Sequence, residues 1–449
     1  MKTDDFFRAS GRIPSWAAAV SIYATIISSV TYLSIPAKAF ASDWTYYPML
    51  FTIPFVIPLV VHRYLPYFHQ SGCASAYELL ERRFSPLVRM MASALFCLYM
   101  VVRIALVLYL PALALSCVGG WDLHLSIITI AIITIVYSAI GGLRAVVWGD
   151  VIQGGIFIVG ALFSVIYLIA NTQGGFLGFV DMSLAADKLR LVDWDMTATK
   201  ATWWVIIIGG LAFNLISYTS DQTIIQRYIS TCDVKASSHS LWINAWLYII
   251  SSILFYAIGA GLYTFYSTHH LPLLEIDAVF PYFIVHQLPT GISVLLMLAL
   301  AAATMSTVSS CINSLATAFN VDFVKRLHPS ISDDRLLLSA RFTSILGGLL
   351  GLIVALMMST WHITSLLDYF NTTLGLLTSG LGSLFFMAVF MPRINAREAM
   401  TGFIAGETIV LLVWLFTPLS FFLYGAIGLG VCIFSAYILN LIYSRLSNW

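Results

Sequence analysis

The stretch Ala24-Thr25-Ile26-Ile27-Ser28-Ser29-Val30-Thr31-Tyr32-Leu33-Ser34-Ile35-Pro36 decides how this chain is read. It lies inside the first long apolar segment, yet it carries five hydroxyl side chains besides Tyr32 and ends in a proline. Pro36 donates no N–H and disfavours helix at Ile35, so the sequence predicts a helix interrupted near that point. In hydrocarbon, irregular backbone is tolerated only where protein buries it or where it lines a cavity. A hydroxyl-rich, broken membrane helix is therefore a candidate wall of a binding site. Ala24, Ile27, Ser28 and Thr31 fall at i, i+3, i+4 and i+7 and are expected on one face. Ser and Thr also serve ordinary helix–helix packing in membranes, and on this stretch alone both readings stand.

The rest of the chain has the composition that such a helix needs. Hydrophobic residues make up 60% and charged residues 10% of 449, with a mean hydropathy of +0.90. This excludes a soluble domain and predicts an all-α integral membrane protein. Twelve apolar segments are expected to cross a bilayer of roughly 30 Å: 15–38, 45–64, 88–117, 123–141, 147–171, 202–220, 238–266, 290–322, 336–359, 364–391, 396–417 and 420–443. With both termini cytoplasmic, seventeen of the 22 Lys and Arg fall inside and four outside, leaving Arg103 in mid-membrane. That bias sets the orientation. Residues 1–14 are polar and do not read as a cleavable signal. The six cysteines are scattered without a CxxC and read as small apolar residues.

Arg103 is flanked by apolar sequence on both sides, so its guanidinium needs a partner at mid-depth. That partner is either a backbone carbonyl or distant carboxylate of the protein, or a carboxylate of the substrate held bidentately. Asp150 opens an apolar run, where it would cap its helix or neutralise a cation. In the sixth segment Gly209, Gly210, Phe213, Asn214 and Ser217 interrupt the apolar pattern and predict local unwinding. Two broken helices, one heading each half, are the signature of an inverted-repeat transporter with its site at the midplane. The repeats are expected over 15–171 and 202–391, with 396–443 peripheral, in a single transmembrane domain spanning 1–449. The eighth segment places Ala303, Ser306, Thr307 and Ser310 at i, i+3, i+4 and i+7. Hydroxyls facing the carbonyls of an interrupted helix suit a hard cation such as Na⁺. The polar run Tyr77–Phe84 reads as an amphipathic piece with solvated charges. Residues 184–192 read as a surface helix, and Glu407 as a packing or interface residue. No histidine cluster, phosphate loop, catalytic triad, HExxH or nucleic-acid patch is visible, which argues against an enzyme.

Four motifs in order, Tyr77–Phe84, Gly141–Gln153 (GGLRAVVWGDVIQ), Asp221-Gln222…Gln226-Arg227-Tyr228 and the serine-rich eighth helix, resemble the sodium:solute symporter family across essentially the whole chain. Ser28–Tyr32, Ile35–Lys38, Asp43–Tyr46 and Arg103 are most similar to its bacterial sialic-acid branch. The resemblance implies a leucine-transporter-like 5+5 core of about 12 helices and Na⁺-coupled import of N-acetylneuraminate or a related acid sugar by alternating access. It implies a main Na⁺ site at the backbone oxygens of Ala24, Ile27 and Ala303 and the hydroxyls of Ser306 and Thr307. A second Na⁺ site would use Asp150, Ser306, Ser309 and Ser310. Substrate would meet Ser28, Thr31 and Arg103, with Tyr46 and Phe213 lining the pocket. Leu50 stands where that branch is expected to carry a glutamine, and the family's usual extra helix before the first core helix is not seen. The alternative is a Na⁺ symporter for another small carboxylate, such as proline or a monocarboxylate. The expected partners are an anionic solute, Na⁺ and the lipid of a bacterial inner membrane, with a monomer and no nucleic acid.

Overall fold

A computed structural model describes residue 7 and residues 9–71, 73–269, 271, 275–361, 363 and 365–446. Several helices start where a polar side chain takes up the free N–H groups of a first turn. Ser85, Asp122, Asp233 and Ser365 accept from the backbone nitrogens of Val88, Leu125, Ala236 and Asp368. Asn395 and Glu398 form a reciprocal capping box.

In chain order the helices are α1 (Ser15–Ile26) and α2 (Ser29–Ala41), bent by 57° at their junction, α3 (Tyr47–His69), α4 (Glu78–Arg83), α5 (Pro86–Gly119), α6 (Leu123–Ala139) and α7 (Gly142–Ala170). They continue as α8 (Gly175–Ala185), α9 (Trp203–Ser220), α10 (Gln222–Tyr228), α11 (Val234–Tyr266), α12 (Val279–His286), α13 (Thr290–Leu327), α14 (Asp333–Met358), α15 (Leu366–Phe390), α16 (Ala396–Phe416) and α17 (Phe421–Ser444). No strand occurs among the described residues. Ten of these helices are long and apolar enough to span a bilayer, and the bent α1–α2 pair makes eleven. The twelfth expected segment is the shorter apolar α6. Gly142, at φ +61°, separates α6 from α7 in a conformation that side-chain-bearing residues rarely adopt.

The structure moves both predicted breaks. The first lies at Ile27–Ser28, where Ile27 (ψ 86°) and Ser28 (ψ 177°) leave helical geometry. Pro36 is inside the continuous α2. The expected shared face of Ala24, Ile27, Ser28 and Thr31 is therefore split between two helices. The second break falls at Asp221, extended at φ −78°, ψ 109°, while Gly209 to Ser217 stay helical in α9. Those glycines serve close packing instead: a Cβ on Gly209 would lie 2.5 Å from the Phe422 carbonyl oxygen, and one on Gly210 would lie 3.0 Å from Thr52 Oγ1.

On the face carrying loop 172–200, the helix is α8 and not 184–192. The segment after it is tied down: Lys188 Nζ donates to the carbonyls of Phe40 (2.7 Å) and Ser42 (3.0 Å), and Arg190 pairs with Asp43 at 2.6 Å. Burial draws the Lys188 ammonium pKa down, whereas the hydrogen bond to Asp43 pushes Arg190 up. On the opposite face the charges of α4 are engaged in specific pairs, although Arg82 is exposed. Glu81 bridges Arg89 (2.6 Å) and Arg326 (2.7 Å), and Arg89 also pairs with the buried Asp322. Gln222 clamps this loop to α10 through Ala74 O (2.9 Å) and Ala76 N (2.8 Å). The last two spans pack on each other and on α15, where Glu407 Oε1 accepts from Gly380 N at 2.7 Å, a packing role.

Candidate functional site

The break between α1 and α2 redirects three carbonyls. In an unbroken helix Ser28 N–H would close on Ala24 O; it closes on Ile26 O instead, at 3.0 Å. Ser306 Oγ of α13 lies 3.4 Å from Ala24 O. Thr25 O, the next carbonyl, accepts from Arg103 Nη2 at 3.1 Å. Thr307 Oγ1 is buried with no hydrogen-bond partner, and so is Ser28 Oγ. An unsatisfied hydroxyl facing a broken helix costs stability unless something else uses it. Unpartnered hydroxyls and a weakly bonded carbonyl at a helix C-terminus, which carries partial negative charge, suit a small cation. Ala24, Ile27, Ala303, Ser306 and Thr307 are all fully buried, and this donor set fits Na⁺. The positive N-terminal end of α2, at Ser28 and Ser29, suits an anionic group.

A cavity opens beside the break. Thr31, Arg103, Tyr46 and Phe213 all line it, together with Leu50, Asn214, Ser217, Asp221, Tyr248 and Asn371. Ser28 lies at the break, outside the cavity wall. Arg103 has both of the protein partners that the sequence allowed for it. Its Nη1 pairs with Asp221 Oδ2 at 3.2 Å, so its protein partners are a distant carboxylate and the Thr25 carbonyl. Its Nε is buried and unpartnered. Asp221 belongs to a recognisable motif, but sequence reasoning gave it no role; a helix break following an apolar run was the available signal.

Asp150 sits deep in α7 and caps nothing. Its carboxylate accepts from Ser21 and Ser306, each at 2.5 Å, and pairs with Arg227 Nη2 at 3.2 Å. Arg227 also donates to Ser310 and, at 2.7 Å, to Ser21. The structure thus gathers Asp150, Ser306 and Ser310 around a guanidinium, while Ser309 Oγ turns back to the Ser306 carbonyl at 3.0 Å. The cation that Asp150 neutralises here is Arg227, a residue quoted in a motif but assigned nothing by the sequence. Among the described residues no group of three or more His, Cys, Asp or Glu side chains could hold a metal ion.

Discontinuous helices meeting beside a central cavity define a secondary transporter. The sodium:solute symporter family matches residues 6–406, and the chain belongs to that family. It is 34% identical to the sodium/sialic acid symporter NanT of Aliivibrio fischeri, over 97% of this chain and 87% of that protein. It is 36% identical to the sodium/sialic acid symporter SiaT of Proteus mirabilis, over 95% of this chain and 87% of that protein. The structure superposes on a Na⁺-coupled sialic acid symporter solved substrate-bound and outward-open, with TM-score 0.92 and 34% identity, covering 98% of this chain and 92% of that one. The fold is thereby the leucine-transporter type, which Mhp1, a nucleobase-cation-symport-1 family transporter, shares at TM-score 0.64 and 16% identity.

Proposed function

We propose that this protein imports N-acetylneuraminate, or a closely related acid sugar, across a bacterial inner membrane by Na⁺-coupled symport. The observation that carries the reading is Arg103, a guanidinium reaching the cavity within bonding distance of the broken first helix. A carboxylate bound there would be held by Arg103 and the N-terminal end of α2, with Thr31 supplying a hydroxyl from the cavity wall and Ser28 one from the break behind it. Tyr46 and Phe213 would shape the wall against the sugar. Na⁺ at Ala24, Ile27, Ala303, Ser306 and Thr307 would hold α1 against α13 and fix the geometry of the break. Ion and substrate then each raise the other's affinity, because both favour the same state. A second Na⁺ at Asp150, Ser306, Ser309 and Ser310 would share its carboxylate with Arg227. Two Na⁺ and one carboxylate move one net positive charge, assisted by roughly 2.3 kcal/mol per 100 mV.

The excess of Lys and Arg on the face bearing α4 supports an orientation with both ends of the chain cytoplasmic. The transporter would act as a monomer with no nucleic-acid partner. It would form one transmembrane domain whose repeats run over 15–171 and 202–391, each containing a helix break, with 396–443 peripheral. Leu50, a cavity residue, leaves the sugar's identity to experiment.

The test is uptake of labelled N-acetylneuraminate into proteoliposomes under an inward Na⁺ gradient, against an equal K⁺ gradient. Na⁺-dependent accumulation is expected; equal uptake under both gradients would remove the ion sites. A small-carboxylate substrate is the second reading. It is favoured by the 31% identity to the human sodium-coupled monocarboxylate transporter 1, over 91% of this chain and 68% of that protein. Excess unlabelled lactate or proline suppressing the uptake would favour it.

A further inference from the structure

We infer that Asp221 is a built-in competitor for Arg103, which the substrate's carboxylate must displace; this rests on Arg103 being the carboxylate-binding residue. Arg103 and Asp221 are both shielded, with side chains 6% and 11% exposed, and both line the cavity. The pair is joined by a single contact of 3.2 Å through Nη1, and Nη2 is spent on Thr25 O. Only Nε is buried without a partner. A carboxylate that grips a guanidinium bidentately needs two parallel N–H groups. The two forks of a guanidinium are Nε with Nη2 and Nη1 with Nη2, so Nη2 serves in either through its second N–H while keeping the Thr25 carbonyl. Two carboxylates on one guanidinium repel each other, and of the two protein partners only Asp221 is charged. Asp221 is therefore the group that yields.

Charge points the same way. The Arg103–Asp221 pair is neutral, so an incoming anion finds no net attraction in the cavity until the pair opens. Weak acids and neutral sugars that cannot open it gain little, which makes the pair a threshold for acidic solutes. Asp221 is also the residue at the α9–α10 break. Its Oδ1 caps α10 by accepting from Thr223 N (2.8 Å) and Thr223 Oγ1 (2.6 Å). The same side chain therefore holds Arg103 with one oxygen and the second broken helix with the other. Occupying Arg103 frees the break from α5, which links substrate binding to movement of α10.

Asp221→Asn tests this, because asparagine keeps a capping oxygen while the charge and the acceptor facing Arg103 are both lost. Binding of N-acetylneuraminate and of its neutral methyl ester to the purified protein in saturating Na⁺ would be measured by calorimetry, and uptake in proteoliposomes. The variant should bind the acid about tenfold tighter or more, bind the ester as before, and show a lower KM with a lower kcat because release slows. Weaker acid binding would mean that Asp221 orients Arg103 instead of competing for it. Equal shifts for acid and ester would reduce Asp221 to a structural cap. Either result overturns the inference. If the asparagine variant fails to fold, Asp221→Ser, also neutral and able to cap, carries the same expectation. Absence of binding by the unaltered protein would instead defeat the sialic-acid reading, a separate outcome.

Discussion

Lys38 Nζ lies 2.8 Å from Asp368 Oδ2, so a single ion pair joins the far end of α2 to the first turn of α15. Tyr46, a cavity residue, donates to the other oxygen of Asp368 at 3.2 Å, and the Lys38 ammonium sits 4.8 Å from the Tyr46 ring centre. The pair is partly exposed, at 24% and 29%, which limits it to about 1 kcal/mol or less. Asp368→Asn should speed substrate dissociation about two- to fivefold and leave the melting temperature nearly unchanged. Stopped-flow displacement measures this; an unchanged off-rate would show that the contact does not close the cavity.

Thr307→Val removes a buried hydroxyl that bonds to nothing in the protein. Without Na⁺ its melting temperature should equal or exceed that of the unaltered protein. The Na⁺ concentration for half-maximal stabilisation should rise about tenfold or more, since a ligand to a charge is lost. A Na⁺ titration of thermal unfolding decides it, and an unchanged titration would place the ion elsewhere.

Arg227→Met strands the Asp150 carboxylate in a site where both side chains are about 1% exposed or less. Removing one partner of such a pair costs about 3–5 kcal/mol. The Arg227→Met, Asp150→Asn double variant should recover much of that loss, read as melting temperature in detergent micelles. A double variant no better than the single would assign the damage to lost packing. Asp150→Asn should also bring the Hill coefficient for Na⁺ toward one if a second ion binds there.

Asp277 opens the turn before α12 and accepts from Leu366 N at 3.0 Å. Burial raises its pKa above the ordinary value of 3.8. The folded state therefore holds this proton more tightly than the unfolded state does. Its stabilising contribution is complete at low pH and is lost as pH rises through the folded pKa. Asp277→Asn keeps an acceptor for Leu366 without the buried charge. It should melt a few degrees higher than the unaltered protein at pH 8, with the gap narrowing toward pH 5. A gap that is independent of pH would rule out ionisation as the cause.

Much of the fold was legible because apolar runs and caps are local signals. All twelve expected segments carry helices, α6 being the short one. The breaks were misplaced because their determinants are not local. Nothing at Ile27–Ser28 is a proline or glycine; α5 holds that junction, with Arg103 on Thr25 O and Ser29 Oγ on Val107 O at 3.0 Å. Pro36 looks like a breaker, yet membrane helices tolerate proline where neighbours surround it. Four of the five expected substrate residues line the cavity, because hydroxyl, aromatic and charged side chains stand out in apolar sequence. Asp221 and Arg227 went unassigned because their partners, Arg103 and Asp150, lie 118 and 77 residues away along the chain.

The burial of Arg227 also constrains the order in which the protein assembles. Of its side-chain partners, Ser21 and Asp150 are synthesised before it, but Ser310 emerges 83 residues later. A buried guanidinium needs acceptors around it. The set around Arg227 is complete only once α11, α12 and the first part of α13 have been made, so the arginine sets the earliest moment at which the two halves can lock together.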